Sequence, residues 1–320
     1  MSHAIPVEKF DAAAAIIYRE LTPSPQIHWP LLAERCGTEV WVKHENHLPT
    51  GAFKVRGGLV FADHLARGRA TAGVIAATRG NHGQSVAFAA RRHGINAVVV
   101  VPENNNPDKN RAMRAYGAEL IEHGRDFDSA YAYAIALGEE RGLTLFPSFH
   151  PLLLHGVGTY AVELFRAVAD LDTVYVPIGL GSGICGLIAA RDALGLTTKI
   201  VGVVATNADA YAQSFAAREV RSTASADTMA DGLAVRTPNA DALAIILAGA
   251  ERIVAVTDVE IRQAMAVYFS TTHNVAEGAG AAPLAALLRE RGRYDGERVG
   301  LVLSGGNIDG PSYARILEHS

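Results

Sequence analysis

Thr50-Gly51-Ala52-Phe53-Lys54-Val55-Arg56-Gly57-Gly58 sets a lysine between a small-residue turn and a glycine pair, just after a run expected to be a strand, Glu39 to Glu45. The chain holds only five lysines, Lys9, Lys43, Lys54, Lys109 and Lys199, and Lys54 alone lies in an apolar, glycine-flanked setting. Burial there favours the neutral amine, and a neutral amine attacks an aldehyde to form a Schiff base. Taken alone, the stretch reads more simply as a lysine at a turn leading into a helix. The residues on either side have to decide between the two.

Outward from Lys54, helices and strands alternate. Upstream, Asp11 to Leu21 reads as an alanine-rich helix stopped by Thr22-Pro23-Ser24-Pro25, and Val40-Trp41-Val42-Lys43 as a strand. Downstream come a helix from Gly58 to Ala66, a strand from Gly73 to Ala77, the loop Thr78 to Asn81, a helix from Gly83 to His93 and a strand from Ala97 to Val101. Arg111 to Tyr116 reads as a short helix, Glu119 to Ile121 as a strand and Phe127 to Arg141 as a helix. The order repeats with strand Thr173 to Ile178, a glycine loop, helix Leu187 to Leu194 and strand Lys199 to Ala205. Helices Asp258 to Phe269 and Ala281 to Arg291 and the strand Val299 to Leu303 follow, while Ala205 to Ala234 shows no regular pattern. Short β-rich runs in β-α-β order predict an α/β fold with parallel-rich sheets covered by helices. In such sheets ligands bind at the carboxyl ends of strands, where three of the candidate loops begin.

The bulk numbers bound the function. The 320 residues are too many for one small core and suggest two domains. A composition 49% hydrophobic and 19% charged fills a large core and argues against disorder. With a net charge of −4 and no basic block, nucleic acid is not an expected partner. Cys36 and Cys185 form neither a CxxC pair nor a disulfide framework, which fits a reducing cytoplasm. The N-terminus has no basic region followed by an apolar core, so no signal peptide is expected. No apolar run approaches the roughly 18 residues that a membrane span needs.

Three loops carry candidate chemistry. Gly179-Leu180-Gly181-Ser182-Gly183 lies between a strand and a helix, where glycines turn backbone amides to one point and the helix start adds positive potential. It suits a phosphate or is a plain tight turn. It also contains GxGxxG (Gly181, Gly183, Gly186), but a dinucleotide site wants an acidic residue about 20 positions on, and Val201 to Thr206 offers none. A single phosphate is therefore preferred. Thr78-Arg79-Gly80-Asn81-His82-Gly83 also joins a strand to a helix; its amides suit a carboxylate, and Asn81 either donates to a phenolate-like oxygen or caps the helix. Ser304-Gly305-Gly306-Asn307 follows a strand and either hydrogen-bonds a ring nitrogen through Ser304 or is a glycine turn. His44-Glu45-Asn46-His47 is not HExxH and reads as structural, so no metal is expected. Cys185 starts a helix and reads as a small packing residue.

Together these pieces resemble the fold-type II pyridoxal-phosphate enzymes, whose fold is tryptophan synthase β-like, in the threonine dehydratase and serine racemase branch. The resemblance is carried by Lys43-His44-Glu45, Thr50 to Gly57, Gly80-Asn81-His82-Gly83-Gln84, His150-Pro151, Gly179 to Gly183, Ala230 to Val235 and Ser304 to Asn307. It spans nearly the whole chain from Thr22, and the order of the motifs is more specific than any one of them.

The resemblance implies pyridoxal 5'-phosphate as cofactor and Lys54 as the Schiff-base lysine that later moves the α-proton. It implies that Phe53 and Asn81 contact the ring, that Gly179, Leu180, Gly181, Ser182 and Gly183 hold the phosphate, and that Ser304 faces the pyridine nitrogen. Thr78, Arg79, Gly80, Asn81 and His82 would bind an amino-acid substrate. It also implies two domains, residues 51–148 as a small domain inserted in a large one of 1–50 plus 149–320, with the cofactor between them, and a homodimer. A neutral serine leaves the ring nitrogen largely unprotonated and the ring a weaker electron sink. The expected reaction is elimination of water and ammonia from a 3-hydroxy amino acid, by default L-threonine or L-serine, to give a 2-oxo acid.

Departures from the family pattern bear on the substrate. Arg79 stands where racemases of this family carry a serine, and an arginine stays protonated and is a poor base. It either closes on the substrate or makes a structural ion pair. The strand end Gly202-Val203-Val204-Ala205 lacks the glutamate of metal-binding members, although Asp209 remains. Ala52 replaces the more usual serine and Val157 a usual glutamine, which suggests a reshaped pocket and a bulkier or acidic substrate such as 3-phenylserine or 3-hydroxyaspartate. Racemisation and β-replacement are the rival reactions.

Overall fold

The structure, a computed structural model describing residues 5–68, 72–294 and 296–319, opens with α1 (Val7–Ile17), β1 (Gln26–His28), α2 (Pro30–Cys36) and β2 (Glu39–His44). Next come α3 (Lys54–Arg67), β3 (Val74–Ala77), α4 (Asn81–Arg92), β4 (Ala97–Val101), α5 (Pro107–Ala115), β5 (Glu119–Glu122), α6 (Phe127–Arg141) and β6 (Thr144–Leu145). The second half holds α7 (Pro151–Ala167), β7 (Thr173–Pro177), α8 (Ser182–Ala193), β8 (Lys199–Ala205), α9 (Ala210–Ala217), α10 (Ala240–Gly249) and β9 (Arg252–Val256). It ends with α11 (Asp258–Thr272), α12 (Gly278–Arg289), β10 (Arg298–Leu303) and α13 (Gly310–Glu318).

Two sheets result. The larger runs β1-β2-β10-β7-β8-β9 and is parallel except for β1, which pairs antiparallel with β2. The smaller runs β5-β4-β3-β6, all parallel. This is the parallel-rich α/β fold that the β-α-β order predicts, with an antiparallel edge it did not. Strands such as Ala97–Val101 and Thr173–Pro177 are buried at every position because helices cover both faces. Side chains alternate between the faces with the period of two that a strand imposes. On the larger sheet Val201, Val203, Leu301 and Leu303 pack with Met265, Tyr268, Leu284 and Leu287. Ile200, Val204, Val174 and Val302 pack on the other side with Leu164, Ile184, Leu187 and Ile246. On the smaller sheet Val74, Ala76, Val99 and Val101 meet Leu59, Val86 and Phe88, while Ile75, Val98 and Val100 meet Ala130, Ala134 and Leu137. Among the described residues no helix is long and apolar enough to cross a membrane.

Helix α6 and strands β4 and β8 have the expected bounds. Four helices start earlier than their sequence suggests: α3 at Lys54 rather than Gly58, α4 at Asn81 rather than Gly83, α8 at Ser182 rather than Leu187, and α12 at Gly278 rather than Ala281. Each first turn contains or adjoins glycine, which disfavours helix locally. Tertiary packing overrides that bias: a Cβ at Gly58 would lie 2.2 Å from Ser85 Oγ, and one at Gly186 would lie 3.0 Å from the Gly158 amide. Helix α5 starts at Pro107 rather than Arg111, because the Asn106 side chain accepts from the amides of Asp108 and Lys109 with proline at the first helical position. Helix α1 spans Val7–Ile17 instead of Asp11 to Leu21, beginning directly after Pro6. Helix α7 has no counterpart in the sequence expectation. Most of its residues from Leu153 to Phe165 are buried. Helix α10 and strand β9 were likewise not expected, and Ala205 to Ala234 contains α9 within otherwise irregular chain.

The fold brings four loops together. An antiparallel bridge joins Ala52 to Gly305, the Phe53 amide donates to Ser304 O at 3.1 Å, and the Gly306 amide donates to Gly51 O at 2.9 Å. The lysine turn is thus laid across the carboxyl end of β10. The glycine loop leaves the end of β7, next to β10 in the sheet, and the loop after β3 faces them from the smaller sheet.

Candidate active site

A cavity of about 710 Å³ lies among these loops, within the range of small-molecule sites. The residues expected to hold the cofactor or the substrate line it: Phe53, Lys54, Thr78, Arg79, Gly80, Asn81, His82, Gly179, Leu180, Gly181, Ser182, Gly183 and Ser304.

Lys54 is the first residue of α3, and its Nζ donates to Ser182 Oγ at 2.8 Å. Burial pushes the amine down from its ordinary value to about 8. The ammonium also lies 5.0 Å from the Phe53 ring centroid. Phe53 is held edge-on by Tyr160, whose hydroxyl donates to Gly183 O at 2.9 Å. The lysine, the aromatic ring and the glycine loop are therefore one packed unit.

The glycine loop is a cradle that side chains would fill. Gly181 precedes α8 in the left-handed region at φ 103°. A Cβ there would lie 2.6 Å from Ala242 Cβ, and one at Gly179 would lie 2.3 Å from Gly232 O. Tyr211 donates to Leu180 O at 2.9 Å and steadies the turn. The first amides of α8 have no partner within the helix and offer an anion site. Ser304, just after β10, is buried and lines the same cavity.

The loop after β3 is organised by Thr78. Its buried Oγ1 accepts from the amides of Gly80 at 3.0 Å and Gly83 at 3.2 Å. Two of the amides expected to face a carboxylate are thereby used, while those of Arg79, Asn81 and His82 have no bonded partner among the described residues. Asn81 does not cap its helix; its Nδ2 donates to Glu277 Oε1 at 2.6 Å and its Oδ1 accepts from Asn307 Nδ2 at 2.8 Å. Gly80 lets Lys109 pass, since a Cβ would meet Lys109 Cδ at 2.5 Å. His82 is driven down to about 4 by burial and by Lys54, and stays neutral. Arg79 is exposed on the wall and, among the described residues, has no ion-pair or hydrogen-bond partner. The structural ion pair considered for it is absent there.

Ala52 and Val157, read from the sequence as signs of a reshaped pocket, do not line the cavity. Ala52 is buried against Gly305, and Val157 packs on Gly57 and Gly186. Burial pushes the Cys185 thiol up, which fits packing. Among the described residues no three His, Cys, Asp or Glu side chains form a group able to hold a metal ion.

The sequence reading missed Lys109, Asp231 and Glu277. Lys109 Nζ lies 2.5 Å from Asp231 Oδ2 and 3.6 Å from Glu277 Oε2, and the trio lines the cavity beside Asn81. The signal for Glu277 was a lone acid in the otherwise uncharged run Asn274 to Gly280. Lys109 sits among polar residues and carried none.

The family model described as "Pyridoxal-phosphate dependent enzyme" matches residues 17–305. An L-threonine ammonia-lyase of Geobacter sulfurreducens is 38% identical over 293 residues, covering 91% of this chain and 73% of that protein. The processed threonine deaminase isoform 2 of Solanum lycopersicum superposes with a TM-score of 0.90 at 28% identity, over 99% of this chain and 95% of its own. Maize serine racemase does so with a TM-score of 0.91 at 28% identity, over 99% of each chain.

Proposed function

This chain belongs to the pyridoxal-phosphate dependent enzymes, and we propose that it is an ammonia-lyase converting a 3-hydroxy amino acid, L-threonine or L-serine, to a 2-oxo acid and ammonia. The observation that carries the reading is the Lys54 amine, lowered toward neutrality and 2.8 Å from Ser182 Oγ, in one cavity with Asn81 and Ser304. When bound, pyridoxal phosphate supplies an aldehyde for a lysine amine and an electron sink for the carbon that loses its proton. The cavity fits that group. The cradle of Gly179, Leu180, Gly181, Ser182 and Gly183 would hold the phosphate, and Phe53, Asn81 and Ser304 would contact the ring. Lys54 Nζ would hold the cofactor in the resting enzyme and would accept the α-proton during turnover. The free amides of Asn81 and His82, in the loop shaped by Thr78 and Gly80, orient the substrate carboxylate. Loss of hydroxide from the neighbouring carbon leaves an enamine, which takes up water to yield the 2-oxo acid and ammonia.

Arg79 supports elimination over racemisation, because its guanidinium cannot act as the second base on the opposite face. Its position on the wall, with no partner among the described residues, also favours a second substrate reading, a 3-hydroxy amino acid with an acidic or bulky side chain such as 3-hydroxyaspartate or 3-phenylserine. The domain division at 51–148 draws support from the sheets, whose strands separate into 74–145 and the remainder. Closure of the two units would exclude water. A homodimer and a cytoplasmic location complete the proposal; light scattering and cell fractionation test them.

The test pairs a variant with a substrate panel. Lys54→Ala is expected to abolish turnover and the lysine-linked cofactor absorbance while the fold survives; an active variant refutes the assignment. Release of 2-oxo acid from L-threonine or L-serine supports the first substrate reading. Release only from 3-hydroxyaspartate or 3-phenylserine supports the second. Racemisation without 2-oxo acid overturns the lyase reading.

A further inference from the structure

Glu277 stands immediately before α12 and is 2% exposed, yet no step proposed above uses it. Its Oε1 accepts from Asn81 Nδ2 at 2.6 Å. The other end of that amide accepts from Asn307 Nδ2 at 2.8 Å, and Asn307 Nδ2 also donates to Thr50 O at 2.8 Å. The Asn81 amide is thus clamped at both ends, with one N–H left to reach a ligand in the cavity. Among the described residues the second Glu277 oxygen, Oε2, is buried without a hydrogen-bond partner. A buried oxygen in that state is costly as a carboxylate and is relieved by a proton.

The charged groups facing Glu277 are few. Lys109 reaches it from α5 at 3.6 Å and is itself anchored to Asp231, from the turn at 231–233, at 2.5 Å. Asn81 from α4 and the backbone of Gly305 after β10 are neutral. One ammonium therefore serves two carboxylates, and the missing positive charge is a proton. We infer that Glu277 is a positioning residue for the cofactor: through Asn81 it sets the hydrogen bond to the ring oxygen, and its gain or loss of a proton changes the strength of that bond. Burial raises the Glu277 carboxyl, Lys109 draws it back and Asp231 raises it further, which leaves it at about 7. As a carboxylate, Glu277 polarises and grips the Asn81 amide; as a neutral acid it grips less. The inference rests on the proposed placement of Asn81 at the ring oxygen. It makes the electronic state of the bound cofactor follow a group that touches only Asn81.

The experiment is a pH titration of the cofactor absorbance of the holoenzyme, with no substrate present. The wild type is expected to show a step near pH 7, where Glu277 ionises. Glu277→Gln is expected to retain bound cofactor and lose the step. Lys109→Met removes the facing cation and is expected to raise the midpoint by roughly one unit, a tenfold gain in proton affinity. A flat wild-type titration, a Glu277→Gln enzyme that titrates with the wild-type midpoint, or an unmoved midpoint in Lys109→Met overturns the inference. Those outcomes leave the Lys54 assignment standing, because the lysine-linked absorbance is still present. Absence of that absorbance from the wild type overturns both.

Discussion

Arg79 is a guanidinium on a cavity wall with no partner among the described residues. A charge-assisted hydrogen bond to a ligand is worth about 1.5–3 kcal/mol. Arg79→Ser is therefore expected to lower kcat/KM for the preferred substrate by roughly tenfold or more, and to raise release of the opposite enantiomer. Coupled assays for 2-oxo acid and chiral chromatography check the two outcomes. An unchanged kcat/KM would remove Arg79 from substrate binding. At this scale the sequence was legible where a motif fixes the residue type, as at Lys54, Asn81, Ser182 and Ser304. It was silent on what each side chain touches. Helix capping was one of two readings of Asn81, yet its amide turns to Glu277, 196 positions away in the chain. No local spacing encodes such a contact.

Helix starts were read late wherever glycine stands in the first turns, because local propensity disfavours glycine while packing demands it. Helices α3 and α7 show the demand. A Cβ at Gly156 would lie 2.4 Å from Arg56 O and 2.7 Å from Gly57 Cα, and both are backbone atoms that cannot swing away. Gly156→Ala is expected to destabilise by about 1–3 kcal/mol or more through overpacking. Gly68 is the contrast: its φ of −74° suits alanine, and its nearest neighbour would be 3.5 Å from the new Cβ. Gly68→Ala is expected to stabilise by about 0.4–1 kcal/mol through the unfolded chain. Shifts of the denaturant midpoint measure both. Equal effects would mean that the close approach of α3 and α7 is not what requires glycine.

Across the molecule, Arg56 ties together segments that are distant in sequence. Fully buried, it donates to Glu45 Oε2 at 2.7 Å, Glu163 Oε1 at 2.6 Å and Thr159 Oγ1 at 3.0 Å. Lys43 Nζ donates to Glu163 Oε2 at 2.5 Å and to Ser24 O at 2.6 Å, so two cations balance two carboxylates. This cluster anchors the start of α3, and with it Lys54, against the end of β2 and helix α7. Arg56→Met leaves Glu45 buried without its cation and Glu163 with Lys43 alone, and is expected to destabilise by about 3–5 kcal/mol, read as a loss of thermal and denaturant resistance. Burial alone would raise the Glu163 carboxyl, but Arg56 and Lys43 hold it below the usual range. Its contribution to stability is therefore complete above the unfolded value of roughly 4.3 and is lost as pH falls through the lower native value. Arg56→Met should weaken that acid dependence.

The sequence by itself determined the class of fold with its parallel-rich sheets and many of the residues that line the cavity, and its resemblance to a family implied the cofactor. The fold follows from β-rich runs in β-α-β order, and the cofactor from the order of short motifs that carries the family resemblance. Only the tertiary structure decided where α3 and α8 begin, that α7 is a helix, that Ala52 and Val157 stand off the cavity, and that Glu277 and Lys109 stand beside Asn81. Those outcomes depend on close packing and on unlike charges meeting across long separations in the chain. Local propensity and spacing carry no record of either.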